Sequence, residues 1–262
     1  LIRKALRQAG MPQVPVISLN FSGLEKDSSF KIGAKLLLKL AYAVFYGDTL
    51  MWCYNQTRPY EVTPGDSDRA RDELVREITD SFRGKRYRKF DEINSLIIDR
   101  FASVERKKER KVKVGIVGEI YVKYAYLGNN HLEQFLLSED CEPVVPALMD
   151  FLLYCIVNNI NDGYYYGRKG LVWRIYKLVY RIIHGKQKRA IKLFEKEGSF
   201  EPVHDFEHLR RCADKVINQG VKMGEGWLIP AEMAALAETG VENIVCAQPF
   251  GCLPNHIAGK GV

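Results

Sequence analysis

The chain has 262 residues, 47% of them hydrophobic and 27% charged, with a formal net charge of +7. That length suits one large domain or two small ones with a real core, and no apolar run reaches membrane-span length, the longest, 36–44, being broken by Lys39. The basic runs 83–89 and 106–113 carry no zinc-finger or RNA-recognition pattern, and 181–192 mixes charge with apolar residues at helical spacing, so neither nucleic acid nor membrane is an expected partner.

In chain order, the apolar run 14–20 predicts a strand ending in an Asn-Phe-Ser-Gly loop, the last strand of a preceding lobe. Residues 30–54 carry apolar side chains at three- and four-residue spacing, a helix. Pro and Gly mark 58–66 as a loop. Ser67 is placed to cap a helix reaching about 81, and a second runs from about 87 to 108. The clearest strand is 111–118. Asn129 or Asn130 then caps a helix over 131–138, and 142–148 is a second strand, which makes a βαβ unit and favours a parallel sheet. Helices follow over 149–160, 171–197, 206–220 and 231–239, with a break at 163–167. The strand 243–247 closes the unit. The expected class is α/β: a Rossmann-like parallel sheet with several long helices inserted and flanking. Residues 1–110 read as the end of one lobe plus a helical region. Residues 111–262 read as a second lobe with a helical insertion at about 163–220. A start at Leu1 and a stop inside an opening helix read as a fragment of a longer protein.

Six cysteines, at 53, 141, 155, 212, 246 and 252, are too widely and irregularly spaced for a disulfide framework. Reduced thiols in a cytoplasm are expected, most of them buried as small hydrophobes. Gly115-x-x-Gly118 lacks the full dinucleotide fingerprint and reads as strand-end glycine. His204-Asp-Phe-Glu-His208 matches the inverted zinc-peptidase pattern, with Cys212 four residues on, so His204, His208 and Cys212 could share a helix face; a zinc hydrolase is one alternative. Cys252 sits in the turn after the last strand. Ligands of open α/β sheets gather where strands end and helices begin, and a thiolate there suits a soft metal or an iron–sulfur cluster. Gly251 allows close backbone approach, Pro254 helps open the helix, and Asn255 and His256 fall in its first turn. Glu119 faces the same crevice from the first strand. A buried cysteine that only packs, in a lobe that docks a partner without metal, is the other alternative.

Gly224-Glu-Gly-Trp227 and 243–261, with Cys246-Ala-Gln-Pro-Phe-Gly-Cys252-Leu-Pro-Asn-His256 at its centre, resemble the CoA-substrate-specific enzyme activases, large proteins related to 2-hydroxyacyl-CoA dehydratase activators of anaerobic bacteria. Pro15 to Asn20, Tyr46-Gly-Asp48, Thr57-Arg-Pro-Tyr60, Val117-Gly-Glu-Ile120 and Asn129-Asn-His131 extend the resemblance over nearly the whole chain. It implies a dehydratase-like portion of an ATP-dependent, low-potential electron-transfer system. In it, an iron–sulfur cluster of the [4Fe–4S] type would be held by cysteines from separate lobes. Only Cys252 matches a cluster ligand, with Asn255, His256 and Glu119 around it. The other ligands and the ATPase domain would be upstream lobes of the same parent chain, and an acyl-CoA or other small molecule would be the substrate. The activator-type Gly-x-Asp-x-Gly-Ser pattern is missing here, so ATP would bind only through a domain outside this chain, and the fragment alone is expected to be inactive.

Overall fold

A computed structural model describes residues 2–16 and 33–261. The chain divides into two compact units, Leu1–Ala41 and Tyr42–Val262. The first holds a short helix α1 (Ile2–Gln8), not anticipated from the sequence, and the first turns of α2 (Ala34–Asn55). Residues 14–16 form no strand, which corrects that part of the predicted strand 14–20; its remainder and the predicted helix start at 30 lie outside the described residues. Helix α2 is long and apolar enough, by length and composition, to meet the requirement for a bilayer span. From Tyr42 onward, however, its Tyr46, Trp52 and Cys53 are core residues, and it carries buried Asp48, Thr49 and Asn55. Core helices of this kind pass the same test.

The second unit begins with the rest of α2, followed by α3 (Asp66–Ser81) and α4 (Phe90–Ala102). Ser67 does not cap α3. Gly65, in the left-handed region at φ 93°, occupies that position, and the Glu61 carboxylate accepts the N–H groups of Gly65 (2.7 Å) and Ser67 (2.9 Å). A carboxylate four residues upstream thus satisfies the donors a helix start leaves open. Helix α4 is shorter than the predicted 87–108: Tyr87 belongs to a separate tight turn, and Arg106 pairs with Glu61 as an isolated bridge.

After β1 (Val112–Gly118) come the short helices α5 (Ile120–Tyr124), α6 (Tyr126–Asn129) and α7 (Leu132–Ser138), then β2 (Cys141–Val144). Asn129 does serve α7, its Oδ1 accepting from Leu132 N at 3.2 Å. Four helices follow: α8 (Leu148–Tyr165), α9 (Leu171–Glu197), α10 (Phe206–Val216) and α11 (Leu228–Glu238). The strand β3 (Asn243–Ala247) and a wide-turn helix over Asn255–Gly259 end the described chain. The sheet is parallel throughout, in the order β2-β1-β3. Val112 pairs with Cys141, and Gly118 with Ala247. Val114 and Ile116 pack with Leu136 of α7, while Val117 packs with Ile229, Leu236 and Val241 on the α11 side. Both faces of β1 are therefore covered, as its continuous apolar run requires. The protein is thus a mixed helix–strand fold with a small parallel sheet and long helices. Residues on either side of position 110 share one core, since α2 and α4 pack with α8 to α11.

Two elements differ in length from the prediction for identifiable reasons. Strand β2 ends at Val144 instead of 148 because the Asp48 carboxylate accepts the N–H groups of Leu148 (2.9 Å) and Met149 (2.8 Å) and starts α8 there. Helix α8 runs on through Gly163, where a break was expected. A Cβ at Gly163 would lie 2.1 Å from the Trp173 indole nitrogen, so this glycine makes room for α9.

Candidate functional site

The chain leaves β1 to one side to form β2 and returns on the other side to form β3, so the order reverses at the carboxyl ends of β1 and β3. That is where open parallel sheets bind ligands. Gly118 ends β1 at φ 131°, and the next N–H, of Glu119, donates to Ala247 O at 3.0 Å. Glu119 caps α5 by accepting from Val122 N at 2.8 Å. Beside it, the buried Glu225 takes the Ile120 N–H at 3.4 Å. The adjacent Gly224 packs against Pro254: a Cβ there would stand 3.0 Å from Pro254 Cγ. The 224–225 turn therefore links Glu119 to the segment after β3. Tyr154 holds this turn with its one hydroxyl proton shared between the carbonyls of Lys222 and Gly224, both at 2.9 Å, and Trp227 anchors it with its indole on Asn158 Oδ1 at 2.9 Å.

In that segment Gly251 is left-handed at φ 80° and Cys252, like Cys246 on β3, is partly exposed. His256 is exposed, and its Nδ1 lies 3.0 Å from the Cys252 carbonyl. Asn255 is fully buried, and among the described residues neither of its amide atoms has a partner, nor does Gln248 Oε1. Phe250, Leu253 and Ile257 point outward, 105%, 69% and 63% exposed. Cys246 packs against the cluster of Val117 and Ile229: a Cβ on Gly259 would meet its sulfur at 2.8 Å, and burial, with Glu232 nearby, raises its thiol pKa. All six cysteines are free.

Beneath the sheet end lies a charge network that sequence reasoning missed. Lys123 of α5 is 0% exposed and holds both oxygens of Glu232 on α11, at 2.8 and 3.1 Å. Asp48 and Asp150 also feel the Lys123 charge, and Gln187 donates to Asp150 at 2.8 Å. Burial raises all three carboxyls; Asp48 reaches about 7 in spite of its two backbone donors and Lys123. A carboxyl raised on folding stabilises the protein below its unfolded value, and that contribution is lost as pH rises through the folded value. The urea midpoint should therefore fall between pH 5 and pH 8, and by less in Asp48→Asn. An equal fall in the variant would show that Asp48 is not raised.

His204 and His208 line a cleft of about 450 Å³ at the β2 edge, together with Trp52, Glu142, Thr239 and Val241. His204 precedes α10 and does not share its face with Cys212; Asp205 caps the helix. The two imidazole centres are 6.0 Å apart. His204 and Trp52 also wall a cavity of about 20 Å³ that reaches Asp150 and Glu232, room for about one water. Burial, then His208, lowers the His204 pKa. His208 instead approaches Cys212 and Glu238, the latter a residue no sequence motif singled out. Searches against protein-family models, curated proteins and solved structures gave no match for the chain.

Proposed function

We propose that the chain is a Rossmann-like lobe of a longer cytoplasmic protein of the CoA-substrate-specific activase kind. In this reading it contributes one cysteine, Cys252, to an iron–sulfur cluster used in ATP-dependent, low-potential electron transfer. The observation that carries the reading is the turn after β3. A partly exposed thiol stands at the sheet's switch point among three outward-facing apolar side chains, Phe250, Leu253 and Ile257. Apolar side chains clustered at one strand end suit a surface that another lobe covers. The order β2-β1-β3 supports the Rossmann-like reading.

A cluster of the [4Fe–4S] type takes four ligands, usually thiolates. The turn offers one, because Cys246 lies on β3 and packs against the cluster of Val117 and Ile229. The remaining ligands and the ATPase site belong to companion lobes in this reading, and no electron-transfer step is assigned to this chain's residues. Their task is to hold the thiol. Gly251 shapes the turn, Pro254 docks on Gly224, the His256 ring reaches back to the Cys252 carbonyl, and Asn255 lies buried at the start of the helix that follows. Glu119 is held on the neighbouring strand end. The substrate would be an acyl-CoA or another small molecule that is hard to reduce.

Anaerobic reconstitution of the natural full-length protein with iron and sulfide tests this. Cys252→Ala should lose most of the bound iron and of the visible charge-transfer absorption, whereas Cys246→Ala should keep both. Unchanged iron in Cys252→Ala would end the ligand role. No iron in the unaltered protein would leave the exposed Phe250, Leu253 and Ile257 as a docking surface alone.

A further inference from the structure

Away from the Cys252 turn, three metal-ligating side chains meet where α10 packs on α11. We propose that His208, Cys212 and Glu238 form a binding site for one zinc-class divalent ion. His208 and Cys212 are four residues apart on α10 and so share a face. Glu238 is the last residue of α11. Cys212 Sγ lies 3.5 Å from His208 Nε2 and 3.6 Å from Glu238 Oε2, and those two atoms are 3.5 Å apart. Around a tetrahedral zinc, with sulfur at ~2.3 Å and nitrogen and oxygen at ~2.0 Å, ligand atoms stand about 3.3–3.6 Å from one another. The observed triangle has the dimensions of one face of that tetrahedron.

Hydrogen bonding accounts less well for the arrangement. A thiol that donates to Glu238 Oε2 and accepts from a His208 Nε2–H satisfies two edges of the triangle and leaves the His208–Glu238 edge unbonded. The His208–Glu238 edge is longer than an ordinary N–H···O bond of ~2.7–3.2 Å. The three ligand atoms all lie within 4.8 Å of one another. Imidazole, thiolate and carboxylate together suit a borderline-soft ion such as Zn²⁺, whereas Mg²⁺ and Ca²⁺ prefer all-oxygen sets. Lys215 binds the other carboxylate oxygen, Oε1, at 2.5 Å, which orients Oε2 toward the sulfur in the way an outer partner orients a metal ligand. Arg211 and Lys215 are the cations facing Cys212, and they offset part of the negative charge of thiolate and carboxylate. Burial, then Glu238, raises the Cys212 thiol pKa, so an ion must displace its proton, and binding releases it to solvent. Three protein ligands leave a fourth position for water. His208 also lines the 450 Å³ cleft.

Co²⁺ titration of the metal-free natural protein tests the site independently of Cys252. One equivalent should bind, with a sulfur-to-cobalt charge-transfer band, and Zn²⁺ should displace it. His208 is a third exposed on its side chain, so His208→Ala should fold as the parent does by circular dichroism. It should weaken Co²⁺ by at least the roughly 10–100-fold that loss of an outer partner costs. Cys212→Ala should abolish the band, and Cys252→Ala should keep band and stoichiometry. Undiminished affinity in His208→Ala, a band that survives Cys212→Ala, or a band lost in Cys252→Ala would each overturn the site.

Discussion

Lys123→Met is expected to destabilise the protein by about 3–5 kcal/mol at neutral pH, the usual cost of orphaning a buried charge. Lys123 is 0% and Glu232 1% exposed, and the ammonium meets both carboxylate oxygens. Neither group can turn to water when its partner is lost. The same lysine charge acts on Asp48 and Asp150, so its removal leaves three buried carboxyls without the cation that opposes their mutual repulsion. The deficit must depend on pH. Glu232 is already raised by burial, with Lys123 the main opposing influence, so in the variant it rises further. A folded-state value above the unfolded one of about 4.3 means the penalty is absent at low pH and grows as pH climbs through the raised value. Urea unfolding at pH 5 and pH 8 should show the larger loss at pH 8. The double variant Lys123→Met, Glu232→Leu removes both charges and should recover much of the loss, because an apolar pair of similar volume can replace a buried ion pair. Equal losses at both pH values would contradict the network.

The parts of this fold that were legible in sequence are those whose cause is local. Strand β3 and helix α9 were predicted with their observed limits, and β1 within one residue. Their signals are a continuous apolar run or a long amphipathic period with glycines at both ends. What escaped depends on partners far along the chain. Asp48 starts α8 from 100 residues away, and Gly163 continues α8 because Trp173 needs its space. Serine is a common cap and Ser67 reads as one, while the open donors of α3 are met by Glu61. The site divides in the same way. The Cys252 turn is contiguous and was readable as a strand-to-helix turn. The group of His208, Cys212 and Glu238 needs a residue 26 positions beyond Cys212, and the Lys123–Glu232 pair spans 109. Of the H-x-x-E-H pattern only His208 takes part, because Asp205 caps α10 and leaves His204 outside the helix.

Gly118→Ala should cost more than about 4 kcal/mol, in the range reserved for core disruption, and should remove the switch point itself. Two independent reasons combine. The residue sits at φ 131°, where an L side chain is strained by roughly 1–3 kcal/mol. A Cβ there would also lie 1.9 Å from the Ala247 carbonyl oxygen and 2.8 Å from its carbon. These are backbone atoms of the paired strand, so no rotamer change relieves the clash, and β3 must move away from β1. The Glu119 N–H to Ala247 O bond at 3.0 Å lies at that point and would be lost with it. Gly240→Ala supplies the comparison. It also has a positive φ, 83°, but no described residue lies within 4 Å of its added Cβ, so it should cost only about 1 kcal/mol from backbone strain. Urea unfolding of the two variants separates strain from clash. Similar losses would mean that the β1–β3 contact at Gly118 is looser than 1.9 Å implies. A selective loss at Gly118 would tie the position of the Cys252 turn to the one residue of β1 that permits so close a pairing.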